Sequence, residues 1–169
     1  IIQNNLTNPT SEVNTLLHQI SENTDNMMEA MSDIVCSINT KNDHFENLAD
    51  RMRGYAVQIL EPLNCNLIFD TNENLIQLKL DPEQRKNIYL IFKEAINNAA
   101  KYADCKNVWV NIYKKGNKLF LQIKDDGKGF DMIQSLNVEK EYKFGGNGIA
   151  NMQQRAAELK ATLTINSEV

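Results

Sequence analysis

An α/β fold, with a mixed sheet, helices on one face and a long helix ahead of it, is predicted by three features of this 169-residue sequence. Apolar residues recur alternately four and three apart from Val13 to Ile38, the period of a helix that packs along a seam. Lys118 to Lys124 alternates strictly: Leu119, Leu121 and Ile123 point one way, and Phe120, Gln122 and Lys124 the other, as in a half-buried strand. Between them, Asp81-Pro82-Glu83-Gln84 is a complete helix start, with an N-cap aspartate, proline at the first helical position and glutamine three residues after the cap.

The elements follow in chain order. Val13, Leu17, Ile20, Thr24, Met27, Met31, Ile34 and Ile38 form the heptad stripe, and Leu16, Met28 and Val35 add a partial second one. Two stripes suit a four-helix bundle, one meeting a helix of the same chain and the other a dimer partner. Asn39 to Asp43 breaks this helix and Phe45 to Leu60 resumes it. Cys65 to Asp70 reads as a strand, and the helix from Asp81 has an apolar face of Ile88, Ile91, Phe92, Ala95 and Ala99. Asn107 to Tyr113 is a second strand, with Val108, Val110 and Ile112 on one face and Trp109 and Tyr113 on the other. Lys114-Lys115-Gly116-Asn117 turns it into the alternating strand. Asp131 to Phe144 has no strong period, and a loop that long is usually functional. A helix then opens at Gly145-Gly146-Asn147-Gly148-Ile149 and runs through Met152, Ala156 and Leu159, ahead of a last strand, Thr162 to Asn166.

The chemistry is concentrated in two places. Glu94, Asn98, Lys101 and Tyr102 stand at i, i+4, i+7 and i+8 and share a stripe away from the apolar face. An amide oxygen suits Mg²⁺, a hard ion that prefers oxygen ligands and keeps several waters. A lysine near it offsets phosphate charge, and a carboxylate one turn earlier orients a water or a metal-bound group. Taken alone, the stripe fits a solvated helix face equally well. The second place is Asp125-Asp126-Gly127-Lys128-Gly129-Phe130, at the end of the alternating strand. Glycine there permits positive φ and close backbone approach to a ligand. A carboxylate at Asp125 can accept from the exocyclic amine of adenine, a role that guanine's carbonyl does not satisfy. Amide groups at the helix start near Gly146 and Gly148 favour phosphate oxygens. No Gly-Lys-Ser/Thr follows, so this is not a Walker A loop.

In order and spacing these pieces resemble the N, G1 and G2 boxes of the GHKL ATPase superfamily, in its histidine-kinase branch, over about Asn64 to the end of the chain. The resemblance implies the Bergerat two-layer α/β sandwich with a mixed sheet. It implies ATP and Mg²⁺ as ligands, with the metal on Asn98, Glu94 as the N-box acid and a further metal ligand, and Lys101 beside the phosphates. Asp125 falls on the adenine-reading aspartate, Gly127 and Gly129 on the G1 glycines, and Gly146 and Gly148 on the lid-closing glycines, with Ile149 beside them. Tyr102 stands where many relatives have histidine and could line the nucleotide pocket. Asp131 to Phe144 corresponds to the ATP lid, in which Lys140 and Lys143 either reach phosphate or remain solvated.

Asp33 to Leu48 is similar to the second dimerisation helix and hinge of sensor kinases in the HisKA_3-type branch. The implied organisation is a partial dimerisation region over residues 1–42 and a catalytic ATP-binding domain over 43–169 that lacks its last strand. The family transfers the γ-phosphoryl group of ATP to a histidine on the first dimerisation helix, then to a response regulator receiver domain. That histidine is followed by an acidic residue, whereas His18 is followed by Gln19 and His44 by Phe45. The chain therefore reads as a fragment that binds ATP without phosphorylating itself, with its acceptor upstream. Rival readings are a degenerate kinase serving as a dimerising scaffold and another GHKL ATPase or serine kinase.

Composition narrows the field. Eighteen basic against 22 acidic residues, net −4, argue against a nucleic-acid-binding surface. Cys36, Cys65 and Cys105 have no C-x-x-C or metal-ligand spacing and suggest a reducing compartment. The apolar runs are too short to span a bilayer; the family implies the cytoplasmic part of a membrane-anchored sensor.

Overall fold

The structure, a computed structural model, describes residues 13, 16, 20, 27, 45–72, 75, 78–130 and 148–167. The chain divides into two compact units, Ile1–Thr40 and Lys41–Val169. In the first, Val13, Leu16, Ile20 and Met27 are helical. Leu16, Ile20 and Met27 are 58%, 61% and 70% exposed. The remaining heptad positions, the Asn39 to Asp43 break, the Asp131 to Phe144 loop and Gly145, Gly146 and Asn147 lie outside the described residues.

The second unit begins with helix α1, Phe45–Leu60, whose buried residues Phe45, Leu48, Ala49, Met52, Ala56 and Leu60 follow helical spacing. A short 3₁₀ turn, Glu61–Leu63, stops at Asn64, which takes the left-handed conformation at φ 54°. Strand β1, Asn66–Thr71, follows. Helix α2, Pro82–Asn98, crosses to strand β2, Asn107–Lys115, which lies parallel to β1. Parallel neighbours need such a crossover because a tight turn cannot join them. Strand β3, Lys118–Asp125, returns antiparallel through a two-residue turn in which Gly116 takes φ +60°. The sheet order is β1-β2-β3, mixed as expected. Helix α3, Gly148–Glu158, completes the described elements.

One sheet face carries the core. Val108, Val110 and Ile112 are buried, and Phe69 meets Phe92 of α2 edge-on at 6.3 Å. The opposite face leaves Ile68, Trp109 and Phe120 partly exposed, with Phe120 stacked on Tyr113 at 5.0 Å.

Three local expectations change. The most buried stripe is Tyr89, Phe92 and Ile96 of α2 with Ala99 just beyond it and Leu90 beside it, whereas Ile88, Ile91 and Ala95 are half-buried. Packing against both α1 and α3 covers more than one side of this helix, so periodicity alone misplaces the deepest face. After Asn98 the helix loosens into a five-residue π-helical turn, Ala99–Ala103, ended by Asp104 at φ 55°. Thr162 to Asn166 is not a strand: its exposure alternates, yet no backbone ladder joins it to the sheet among the described residues. Period two marks an extended segment, but a strand also needs a hydrogen-bonded neighbour.

The predicted capping box is present. Gln84 N–H donates to Asp81 Oδ1 at 2.8 Å and Asp81 N–H to Gln84 Oε1 at 3.1 Å. Asp81→Ala removes an N-cap and is expected to lower the unfolding free energy by about 1 kcal/mol in a denaturant titration, with the fold retained.

Candidate functional site

The site assembles around the C-terminal half of α2. Glu94 and Asn98 lie one turn apart on the regular helix and are both half-buried. Lys101 and Tyr102 follow on the π turn, and both are exposed, Tyr102 at 57%. Single π turns in helices often occur at functional positions.

The Asp125 loop docks on this turn. Lys128 N–H donates to Ala103 O at 2.9 Å. Gly127 lies so close that a Cβ there would stand 2.6 Å from the Ala103 Cβ and nearer still to its carbonyl oxygen. Gly127 is thus needed for contact with the protein's own backbone. Of the two glycines in this loop, Gly129 takes the positive φ, at +67°. Asp125, half-buried at the end of β3, accepts Gly127 N–H on Oδ1 at 3.0 Å. A carboxylate has about four acceptor positions, so this bond leaves capacity for a ligand amine.

Asp126, beside it, anchors the loop from the outside. Its Oδ2 accepts the Asn107 side-chain amide at 2.7 Å, and Oδ1 accepts the backbone N–H groups of Lys106 at 2.8 Å and Asn107 at 2.9 Å. The Asn107 side-chain bond, then the backbone bonds, hold its carboxyl below the ordinary 3.8. A depressed folded pKa contributes stability that is present above the unfolded value and lost as pH falls through the folded one. Asp126→Asn is therefore expected to reduce stability at neutral pH and to flatten the acid dependence below about pH 4, read from urea midpoints across pH.

The third piece arrives through α3. Asn87 of α2, 2% exposed, donates to Glu158 Oε2 at 3.2 Å and accepts Arg155 Nη1 at 3.4 Å, which ties the two helices together. Gly148 at the start of α3 then faces Glu94, and a Cβ there would overlap the Glu94 carboxylate. Ile149 is half-buried in the same turn. The structure thus brings Glu94 and Gly148 together, with Asn98 one turn along α2, and the Asp125, Gly127 and Gly129 loop against the π turn that follows.

Sequence reasoning missed several supports. Tyr55 OH donates to Asn97 Oδ1 at 2.7 Å, beside Asn98, and Lys93 Nζ lies 5.4 Å from the Tyr55 ring centroid. Ala103, Asn107 and Asn87 carried no motif, and only their neighbours in space give them meaning. Among the described residues no group of three or more His, Cys, Asp or Glu could hold a metal. Mg²⁺ on one or two side-chain oxygens, completed by phosphates and water, needs no such cage. The Asn98 amide and Glu94 carboxylate are donors of that kind.

The unit is thus a two-layer α/β domain with an acidic glycine loop docked on a helix end. A family model described as histidine kinase-, DNA gyrase B- and HSP90-like ATPase matches residues 83–169, and the chain belongs to that family. It is 38% identical over 91 residues to the sensor histidine kinase YdfH of Bacillus subtilis, covering 52% of this chain and 21% of that protein. It is 31% identical over 91 residues to the histidine-protein kinase/phosphatase DegS of Bacillus subtilis, covering 54% and 23%. The sensor protein VraS of Staphylococcus aureus is 36% identical over 81 residues, covering 48% and 21%. The matched regions span about a fifth of these relatives. The Acinetobacter baumannii histidine kinase AdeS shares the fold at TM-score 0.63 and 17% identity, over 99% of this chain and 83% of that one. A blue-light activated histidine kinase domain of Erythrobacter litoralis does so at 0.53 and 18% identity, over 72% and 55%. Among the described residues no helix is long and apolar enough to cross a membrane.

Proposed function

We propose that this chain is the ATP-binding catalytic part of a two-component sensor histidine kinase, which passes the γ-phosphoryl group of ATP to a histidine and then to a response regulator receiver domain. The observation that carries this reading is the meeting of Glu94 with Gly148 on the helix that also bears Asn98 and leads into the turn under the Asp125 loop. The relatives, all sensor proteins or histidine kinases, supply the direction.

In this mechanism Asp125 accepts the adenine amine, while Gly127 and Gly129 shape the loop that carries it. Asn98 would hold Mg²⁺, with Glu94 one turn before it as a further ligand or water-orienting base. Bound there, the ion neutralises charge developing on the phosphate oxygens. Lys101 offsets phosphate charge from the π turn, and Tyr102 lines the pocket. Gly148 and Ile149, at the start of α3, offer backbone amides to phosphate, a role proposed for Gly146 as well. The protein contributes positioning and electrostatics more than covalent chemistry. Residues 1–42 act as the dimerisation helix of a homodimer and 43–169 as the catalytic domain. The intact protein is anchored in a membrane with this part in the cytoplasm.

Phosphotransfer from labelled ATP to a separately supplied helical hairpin, bearing a histidine followed by an acidic residue, tests this reading. Label on the hairpin is expected, with transfer lowered roughly 100-fold or more by Asn98→Ala, as for loss of one transition-state electrostatic contact. ATP binding with no transfer to any such hairpin would favour another GHKL ATPase, and loss of nucleotide binding the dimerising scaffold.

A further inference from the structure

The cysteines carry no spacing motif, yet two of them meet in the fold. Cys65 Sγ lies 3.4 Å from Cys105 Sγ, within reach of a thiol hydrogen bond. Cys65 leads into β1 and is 6% exposed; Cys105 precedes β2 and is half-buried. The sheet holds them there, since Asn66 pairs with Asn107 in the parallel register and Asn66 N–H donates to Lys106 O at 2.8 Å.

We infer that Cys65 and Cys105 form a dithiol site that closes to a disulfide under a peroxide, and that closure weakens nucleotide binding at the adjoining Asp125 loop. The second half rests on the nucleotide reading above. Cys105, the more accessible sulfur, attacks a peroxide oxygen as its thiolate; the O–O bond breaks, water leaves and a sulfenic acid remains. The Cys65 sulfur attacks that sulfur, the S–O bond breaks and a second water leaves. The two thiols thereby lose two electrons and two protons, and one peroxide becomes two waters. Burial, then the Cys65 contact and the negative charge of Asp125, push the Cys105 thiol up to about 12. Cys105 is therefore protonated at neutral pH, and its scarce thiolate makes closure slow, so that it takes sustained oxidant.

The coupling is mechanical. A covalent bond requires the sulfurs to come closer than 3.4 Å, and Cys105 passes its share of the movement to its neighbours, residues 103–107. Ala103 is packed against Gly127 without slack and accepts from Lys128 N–H, while Lys106 and Asn107 hold the Asp126 carboxylate. The three residues that follow Asp125 thus hang on the segment that contains Cys105.

The test treats the full chain with hydrogen peroxide, maps disulfides by differential alkylation and peptide mass, and titrates Mg-ATP into reduced, oxidised and re-reduced protein. The expected result is a Cys65–Cys105 cross-link and affinity weakened roughly tenfold, the size of one ligand hydrogen bond. Dithiothreitol restores the affinity, and Cys105→Ser and Cys65→Ser show no response to peroxide. Absence of that cross-link, pairing with Cys36 instead, or a cross-link with unchanged affinity overturns the proposal. A reduced chain that binds no nucleotide counts against the nucleotide reading, and the peptide map then judges the dithiol site by itself.

Discussion

Asp125→Asn is expected to weaken ATP binding roughly 10- to 100-fold, the worth of a hydrogen bond to a charged group, while leaving the thermal transition nearly unchanged. The substitution preserves shape and removes one acceptor. Asp125 already receives Gly127 N–H on one oxygen at 3.0 Å, so in the proposed function the adenine amine meets the other. Asparagine has a single acceptor oxygen and must forfeit either the loop bond or the ligand bond. Its NH₂ group would face a donor on adenine but an acceptor on guanine, so the ATP-over-GTP preference should narrow. Parallel titrations of both nucleotides into both proteins read this directly; an unaltered ratio would separate Asp125 from base recognition.

The second large effect is steric. In Gly127→Ala the new methyl would lie 2.6 Å from the Ala103 Cβ and closer still to its carbonyl oxygen. Neither neighbour can swing aside, because the carbonyl belongs to the backbone and the Cβ is fixed to it. The loop must lift, with loss of the 2.9 Å bond from Lys128 N–H to Ala103 O. Destabilisation of about 1–3 kcal/mol is expected from overpacking, together with weakened ATP binding. Gly148→Ala makes the informative contrast: its methyl meets the end of the Glu94 side chain, which can rotate away. That variant should remain nearly as stable as the parent while altering whatever Glu94 does. Denaturant midpoints on both variants distinguish the two cases.

Much of the fold was legible because it depends on local period. Helix α1 matches its expected span, Phe45–Leu60, and β1 to β3 fall within two residues of expectation at each end. The capping box announced the start of α2 through side chains that act within one turn. What escaped was set by contacts distant in sequence. The deepest face of α2 depends on α1 and α3 together, and the π turn at Ala99–Ala103 has no compositional mark. Thr162 to Asn166 has the alternation of a strand without a ladder partner.

The candidate site divides in the same way. Residue types and order suggested a nucleotide, and the family resemblance assigned roles, but the support structure was invisible. Asn107 beneath Asp126, Asn87 between Glu158 and Arg155, and Cys65 beside Cys105 each join residues separated by 19 positions or more in the chain. Gly127 shows the distinction at one residue: glycine was expected there for close approach to a ligand, and the close approach present in the fold is to Ala103.

Calorimetric titration of the unmutated chain with ATP and with GTP in the presence of Mg²⁺ tests the nucleotide site most directly. Saturable one-site binding of ATP is expected, with far weaker binding of GTP. Equal affinity for the two nucleotides, or no binding of ATP, would contradict it.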